Sequence, residues 1–171
     1  MAQNYLQRNL LIFIAGAILV IVLDQVTKAA ITARFSLHES YPVISGFFNL
    51  VYVKNPGAAF SLLADAPAPF RHVFFIGVTL VAAGLILYYL IRSKTESILM
   101  IVCLTLIFAG AVGNLVDRIR FGAVVDFLDF YIGTAHWPAF NVADSAITVG
   151  AALMIWEMLI SGKKKTVRNN S

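Results

Sequence analysis

Residues 97–121 read SILMIVCLTLIFAGAVGNLVDRIRF, and this stretch decides the architecture. From Ser97 to Val116 there is no charged residue over 20 positions. At ~1.5 Å of helical rise per residue that is enough to cross the ~30 Å of hydrocarbon in a bilayer. The stretch then leaves the apolar phase through Asn114, Asp117 and Arg118. Gly110, Gly113, Asn114 and Asp117 fall at i, i+3, i+4 and i+7, which is one face of a helix. The two glycines strip that face of bulk so that another backbone can approach, and the polar pair stands at its outer end. The simpler alternative is plain helix packing with polar residues at the water boundary. So polar an exit from a span favours a functional face.

Three further stretches have the same character, and the expected spans are about 9–33, 70–91, 97–116 and 138–160. The composition agrees. Of the 171 residues 60% are hydrophobic and 13% charged, with a mean hydropathy of +0.82. A water-soluble domain runs at roughly 45–50% apolar and about 25% charged. The expected fold is a single integral membrane domain over 1–171, an all-α bundle of four transmembrane helices. Arg8 followed by LLIFIAGAILVIVL resembles a cleavable targeting signal. Cleavage would leave an odd number of spans and discard the acid–base pair Asp24/Lys28, so the segment is read as the first span.

The net charge of +4 and the pI of 9.4 do not point to nucleic acid, because the basic residues are scattered. The exception is Lys163, Lys164, Lys165 and Arg168, which read as a membrane-surface anchor on a solvated cytoplasmic tail, 163–171. With both termini and the 92–96 loop on one side, that side holds seven basic residues and the other six. Several of the six lie beside acids or in a long loop, where they count least toward orientation. The lysine cluster therefore sets both termini in the cytoplasm and both long loops outside. Cys103, the single cysteine, lies mid-span and reads as a small core residue.

The first outer loop, 34–69, is too long for a simple helical hairpin and is expected to be β-rich. GFFNLVYV reads as a strand, Asn55-Pro56-Gly57 as a turn with a left-handed glycine, and AAFSLL as a return strand. Phe47, Phe48, Tyr52 and Phe60 make this loop too apolar for a free solvent segment. The second outer loop, 117–137, contains the apolar run AVVDFLDFYI.

That run places Asp126 among valines and phenylalanines. In the fourth span Asn141, Asp144, Ser145 and Thr148 share one helical face, with Pro138 suited to the first turn. Counted from Pro138, Asp144 lies ~9 Å below the helix start, within reach of outside water. A carboxylate at membrane depth is costly and usually marks a pathway or a reaction site. Two of them that share a proton can activate water. The bland reading of Asp144 is a helix cap or a partner for Arg118. Asp129 competes with Asp126 as the partner of Asp144, and Asp126 is the more thoroughly apolar-flanked. Asp24 and Lys28, at i and i+4, read as scaffold. His38, His72 and His136 lack metal-ligand spacing, and neither a nucleophile elbow nor a nucleotide fingerprint is present.

At these residues the chain resembles the lipoprotein signal peptidases (signal peptidase II) of bacteria. The resemblance rests on VLDQVTK, NPGAAFS, AGAVGNLVDRIRFGAVVDF and PAFNVADSAITVG, in that order and spanning most of the chain. Pro56 stands where the family more often has Thr or Ser. The resemblance implies four transmembrane helices with a small extracytoplasmic β-rich cradle lying on the membrane. It implies an aspartic endopeptidase of the bacterial inner membrane that cleaves prolipoproteins just before a diacylglyceryl-modified cysteine. Asp126 and Asp144 are then the catalytic pair. Asn55, Gly57, Asn114, Arg118 and Asn141 hold substrate or support the pair, and Asp24, Lys28 and Asp117 are structural polar residues. The substrate's signal helix is expected along the glycine strip of the third span. No metal or organic cofactor is expected. The implied partners are the lipid-modified substrate, membrane lipids and peptide antibiotics of the globomycin type, with the enzyme a monomer.

Two readings from other classes compete. A proton-coupled transporter or channel also uses intramembrane acids. It needs polar groups in the cytoplasmic half as well, where only Glu157 lies. A non-enzymatic assembly factor would use the acids as glue, and an Asp126→Asn protein that still supported lipoprotein maturation would favour it.

Overall fold

The computed structural model describes residues 2–57, 63, 65–92 and 97–169. Its order is α1 (Ala2–Arg34), β1 (Ser40–Ile44), β2 (Phe48–Asn55), α2 (Ala68–Arg92), α3 (Ile98–Phe121), β3 (Val124–Ile132), β4 (Ala135–His136) and α4 (Val142–Asn169). All four helices are long and apolar enough to span a bilayer. The chain is therefore a four-helix membrane bundle with a small antiparallel sheet.

α3 is the central helix. α1, α2 and α4 all pack on it, while α2 and α4 hardly touch each other. Packing on α3 buries Ile101, Cys103, Leu104 and Ala109, and Cys103 is a free, fully enclosed thiol. Phe13, Ile86 and Leu90 from α1 and α2 close one end of this core, and Phe13 meets the Phe108 ring at 5.0 Å. The other three helices expose apolar side chains such as Leu11, Ile18, Val73, Val81, Ile155 and Leu159. That inversion is what a lipid solvent permits.

The glycine strip of α3 is where its neighbours come closest. A Cβ on Gly110 would collide with the Ala143 carbonyl oxygen, and one on Gly113 would lie 2.7 Å from Asp24 Oδ2 and 3.3 Å from Ala143 Cβ. The strip is thus covered by α4 and α1. It is not open to a substrate helix, contrary to the sequence-based expectation. Close backbone approach is what it provides, and it joins three helices where their polar residues sit.

Helix ends also differ from expectation. α3 continues past 116 to Phe121, where Gly122 at φ +71° donates its N–H to the Arg118 carbonyl and turns the chain into β3. α4 begins at Val142 and not at Pro138, because Asn141 is the better cap. Its Oδ1 accepts from the Asp144 N–H at 2.9 Å. Asp144 is accordingly in the first helical turn, not ~9 Å inside it. At its far end α4 remains helical through Asn169.

The sheet has the order β1-β2-β3-β4 and sits at the end of the bundle where α1 and α3 finish and α2 and α4 begin. GFFNLVYV supplies β2 as expected. Its partners are β1, joined through a turn at Gly46 (φ +81°), and β3, which comes from the segment between α3 and α4. The anticipated return strand AAFSLL, with Phe60, falls almost wholly on residues 58–62, outside the described residues. Phe47, Phe48 and Phe140 gather round the Phe130 ring, with centroids 5.4, 4.6 and 5.8 Å from it; Phe48 and Phe140 stack on it and Phe47 meets it edge-on.

Candidate active site

The polar residues of three helices converge on one buried cation. Lys28 Nζ lies 2.9 Å from Asp24 Oδ2, 3.0 Å from Asp117 Oδ2 and 3.0 Å from Asn114 Oδ1. Asp24 Oδ1 accepts from the Ala143 N–H of α4, and Asp117 Oδ2 from the Val125 N–H of β3. One ion cluster thereby pins α1, α3, α4 and the sheet together. A removed partner would leave an uncompensated buried charge, which is why such clusters are costly to break. The i, i+4 spacing of Asp24 and Lys28 correctly indicated a pair, and Asp117 is its third member. Gln25 went unread. Its Nε2 donates to Asp24, Asp117 and the Gly113 carbonyl, and the available signal was an amide side chain inside an apolar span.

One layer outward stand two asparagines and then two aspartates. Asn114 Nδ2 donates to Asp144 Oδ1 at 2.7 Å. Asn141 Nδ2 donates to Asp126 Oδ1 at 2.7 Å, while its Oδ1 caps α4. Asn55, the last residue of β2, also hydrogen-bonds Asp126 and accepts the Gly57 N–H at 2.9 Å. Asp126 and Asp144 both line a cavity of about 810 Å³, together with Asn55, Gly57, Asn114 and Arg118. Asp126 belongs to β3 and is almost fully buried. Burial and the neighbouring Asp144 carboxylate push its pKa up from the usual 3.8 to about 7, against the pull of Asn55 and Asn141. A carboxyl group in that state is able to hold a proton at neutral pH and to release it.

Asp129 does not reach the cavity. It lies three residues beyond Asp126 on the same strand, so it faces the other side of the sheet. There it accepts from Asn49 Nδ2 at 2.9 Å and contacts His136 Nδ1 at 2.8 Å. The geometry thus puts the two carboxylates of this run on opposite sides of the sheet, with Asp126, the one preferred from sequence, at the cavity.

Arg118 lines the same cavity. Its guanidinium lies 4.7 Å above the Phe75 ring, and Nη2 donates to the Gly57 carbonyl at 3.3 Å. Its Nε is buried and has no hydrogen-bond partner among the described residues. The Gly57 carbonyl and N–H, held by Arg118 and Asn55, tie the turn to the cavity wall.

Residues 16–160 match the family model described as Signal peptidase (SPase) II. This chain belongs to the signal peptidase II family. A lipoprotein signal peptidase of Syntrophus aciditrophicus (strain SB) is 54% identical over 161 residues, covering 94% of this chain and 100% of that protein. One from Geobacter sulfurreducens is 50% identical, covering 85% of this chain and 89% of that protein. A solved bacterial membrane enzyme, determined by the in meso method at 2.3 Å resolution, superposes with a TM-score of 0.81 at 36% identity over 90% of both chains. A second, at 1.9 Å, gives 0.77 at 35% identity over 86% of this chain and 92% of that one. As a signal peptidase II the chain is a bacterial multi-pass membrane peptidase.

Proposed function

We propose that this signal peptidase II is an aspartic endopeptidase that removes the signal peptide from diacylglyceryl-modified prolipoproteins, cutting just before the lipidated cysteine. The observation that carries the reading is the convergence of Asp126 and Asp144 on one cavity, each held by an asparagine side chain at 2.7 Å. Two neighbouring buried carboxylates resist double ionisation, so the pair holds one proton. The ionised member takes a proton from water as the water oxygen attacks the scissile carbonyl carbon. The protonated member gives its proton to the carbonyl oxygen. Collapse of the tetrahedral intermediate breaks the C–N bond, and the amine leaves with a proton returned through the pair. Arg118 Nε and the Asn55 amide stand at the cavity wall, where they can bond substrate backbone.

The enzyme sits in the inner membrane with both termini cytoplasmic. The sheet and the carboxylates are at the outer face, and the basic cluster 163–168 is at the opposite end of α4. Because α2 and α4 both lean on α3 but hardly on each other, the cavity runs between Thr79 of α2 and Ile147 and Thr148 of α4. That gap replaces the glycine strip as the lateral access route for a substrate whose lipid chains stay in the bilayer. The decisive experiment incubates purified enzyme with a prolipoprotein in lipidated and unlipidated form. Loss of the signal peptide from the lipidated form alone supports the reading. Equal cleavage of both, or of neither, sinks it.

A further inference from the structure

Lys28 lies behind the carboxylate pair, with Asn114 between it and Asp144. An ammonium has three donors and no acceptor. Its three partners here are Asp24, Asp117 and Asn114, all at about 3 Å, and its side chain is 4% exposed. An amide has a donor end and an acceptor end, and only the acceptor end can face a cation. The ammonium therefore dictates which way the Asn114 amide points, and Nδ2 is turned onto Asp144 Oδ1 at 2.7 Å. Asn141 Nδ2 also approaches Asn114 Oδ1, at 3.4 Å, and favours the same orientation. Asp144 is the third residue of α4, where the helix N-terminus favours negative charge. Asp126 is on a strand and has no such field.

We propose that Lys28 is a positioning residue for the reaction: acting through Asn114, it keeps Asp144 as the ionised, water-activating member of the pair and leaves the shared proton on Asp126. This goes beyond the scaffold role read from its spacing with Asp24, and it rests on the aspartic reading of the site. The donor fixed by Lys28 stabilises charge on Asp144 without contacting water or substrate. Without Lys28 only the long 3.4 Å contact from Asn141 Nδ2 still holds the Asn114 amide, which can then turn and present its oxygen to Asp144, and an oxygen there favours a protonated partner.

The test compares Lys28→Met, Asn114→Ala and the double variant, purified and assayed on a lipid-modified prolipoprotein across pH. Lys28→Met is expected to lower kcat about 10- to 100-fold, the range typical of a lost outer-layer orienting group. KM should change little. The acid limb of the kcat/KM profile, a property of the pair, is expected to move up by about one pH unit. Asn114→Ala should show the same shift, and the double variant should be no slower than Asn114→Ala, because both changes cut one relay. Lys28→Met strips two buried acids of their cation, so Lys28→Met/Asp24→Asn repeats the measurement with one of those charges removed. An unshifted acid limb in Asn114→Ala, or multiplied losses in the double variant, overturns the proposal and leaves Lys28 as scaffold. Asp126→Asn and Asp144→Asn run in the same assay keep the two readings apart. If either cleaves at the normal rate, the aspartic reading itself fails.

Discussion

At the residue scale, Asp126 and Asp129 show how little separates the carboxylate proposed as reactive from one held in a structural contact. Both are acids in the same apolar run and both are buried. Strand alternation alone sends one to the cavity and the other to Asn49 and His136. Asp126→Asn and Asp144→Asn are each expected to lower cleavage by at least about 100-fold, since a neutral amide can neither take nor supply the shared proton. Asp129→Asn should remain close to wild type. Rates of purified variants on one prolipoprotein check this, and an inactive Asp129→Asn beside an active Asp126→Asn would reverse the assignment. The elevated pKa of Asp126, about 7 against 3.8, has a consequence for stability. The folded state holds that proton more tightly than the unfolded chain does. Its contribution is therefore complete below about pH 4 and is lost as pH rises through about 7. The melting temperature of the wild type in detergent should fall between pH 5 and 8 by more than that of Asp126→Asn, which has no proton to lose. Parallel curves for the two proteins would contradict the buried, protonated state.

At the element scale, the bundle distinguishes two kinds of glycine. Gly113 faces Asp24 and Ala143 at contact distance, whereas a methyl group added at Gly77 or Gly84 of α2 would meet nothing within 4 Å. Gly113→Val must push α1 or α4 away from α3, at a cost of about 1–3 kcal/mol for overpacking. It should also disturb the ion cluster, so melting temperature and cleavage rate should drop together. Gly77→Ala and Gly84→Ala remove only backbone freedom from a lipid-facing helix and should stabilise by about 0.5–1 kcal/mol with activity intact. Thermal melts in detergent beside cleavage rates measure both. A destabilised Gly84→Ala would mean that α2 packs more tightly than its open face suggests.

At the scale of the whole molecule, the two ends of the bundle differ in kind. One carries the sheet and the carboxylates, and the other carries the basic extension of α4. The orientation proposed above makes a simple prediction. A cysteine at Glu39, beside β1, should react with a membrane-impermeant maleimide from the periplasmic side, and a cysteine at Asn169 only after the inner membrane is opened. The native thiol, Cys103, is buried and should stay silent in both. The reverse labelling pattern would invert the topology and place the carboxylates on the cytoplasmic side. Cleavage should also survive strong chelators, because the chemistry proposed uses only carboxylates and water. Loss of activity with EDTA and recovery with zinc would contradict it.

Periodicity and composition were enough to establish four spans, the polar face of α3 and the Asp24/Lys28 pair, because hydrophobic length and helical spacing are local properties. The family motifs singled out Asp126 and Asp144 before any geometry was known. Three things were decided only in the folded molecule. Strand pairing brought β3 beside β2, a contact between residues some 70 positions apart along the chain, for example Asn55 with Val124. Asn141 displaced Pro138 as the start of α4 because a side-chain cap depends on where the chain turns, and this moved Asp144 into the first helical turn. The glycine strip of α3 was consumed by α4 and α1, because a bare face is filled by whichever backbone the topology brings to it. Sequence determines which residues can lie in lipid and which must find polar partners. Tertiary structure decides which partner each one finds, and so which of several buried acids faces an open cavity.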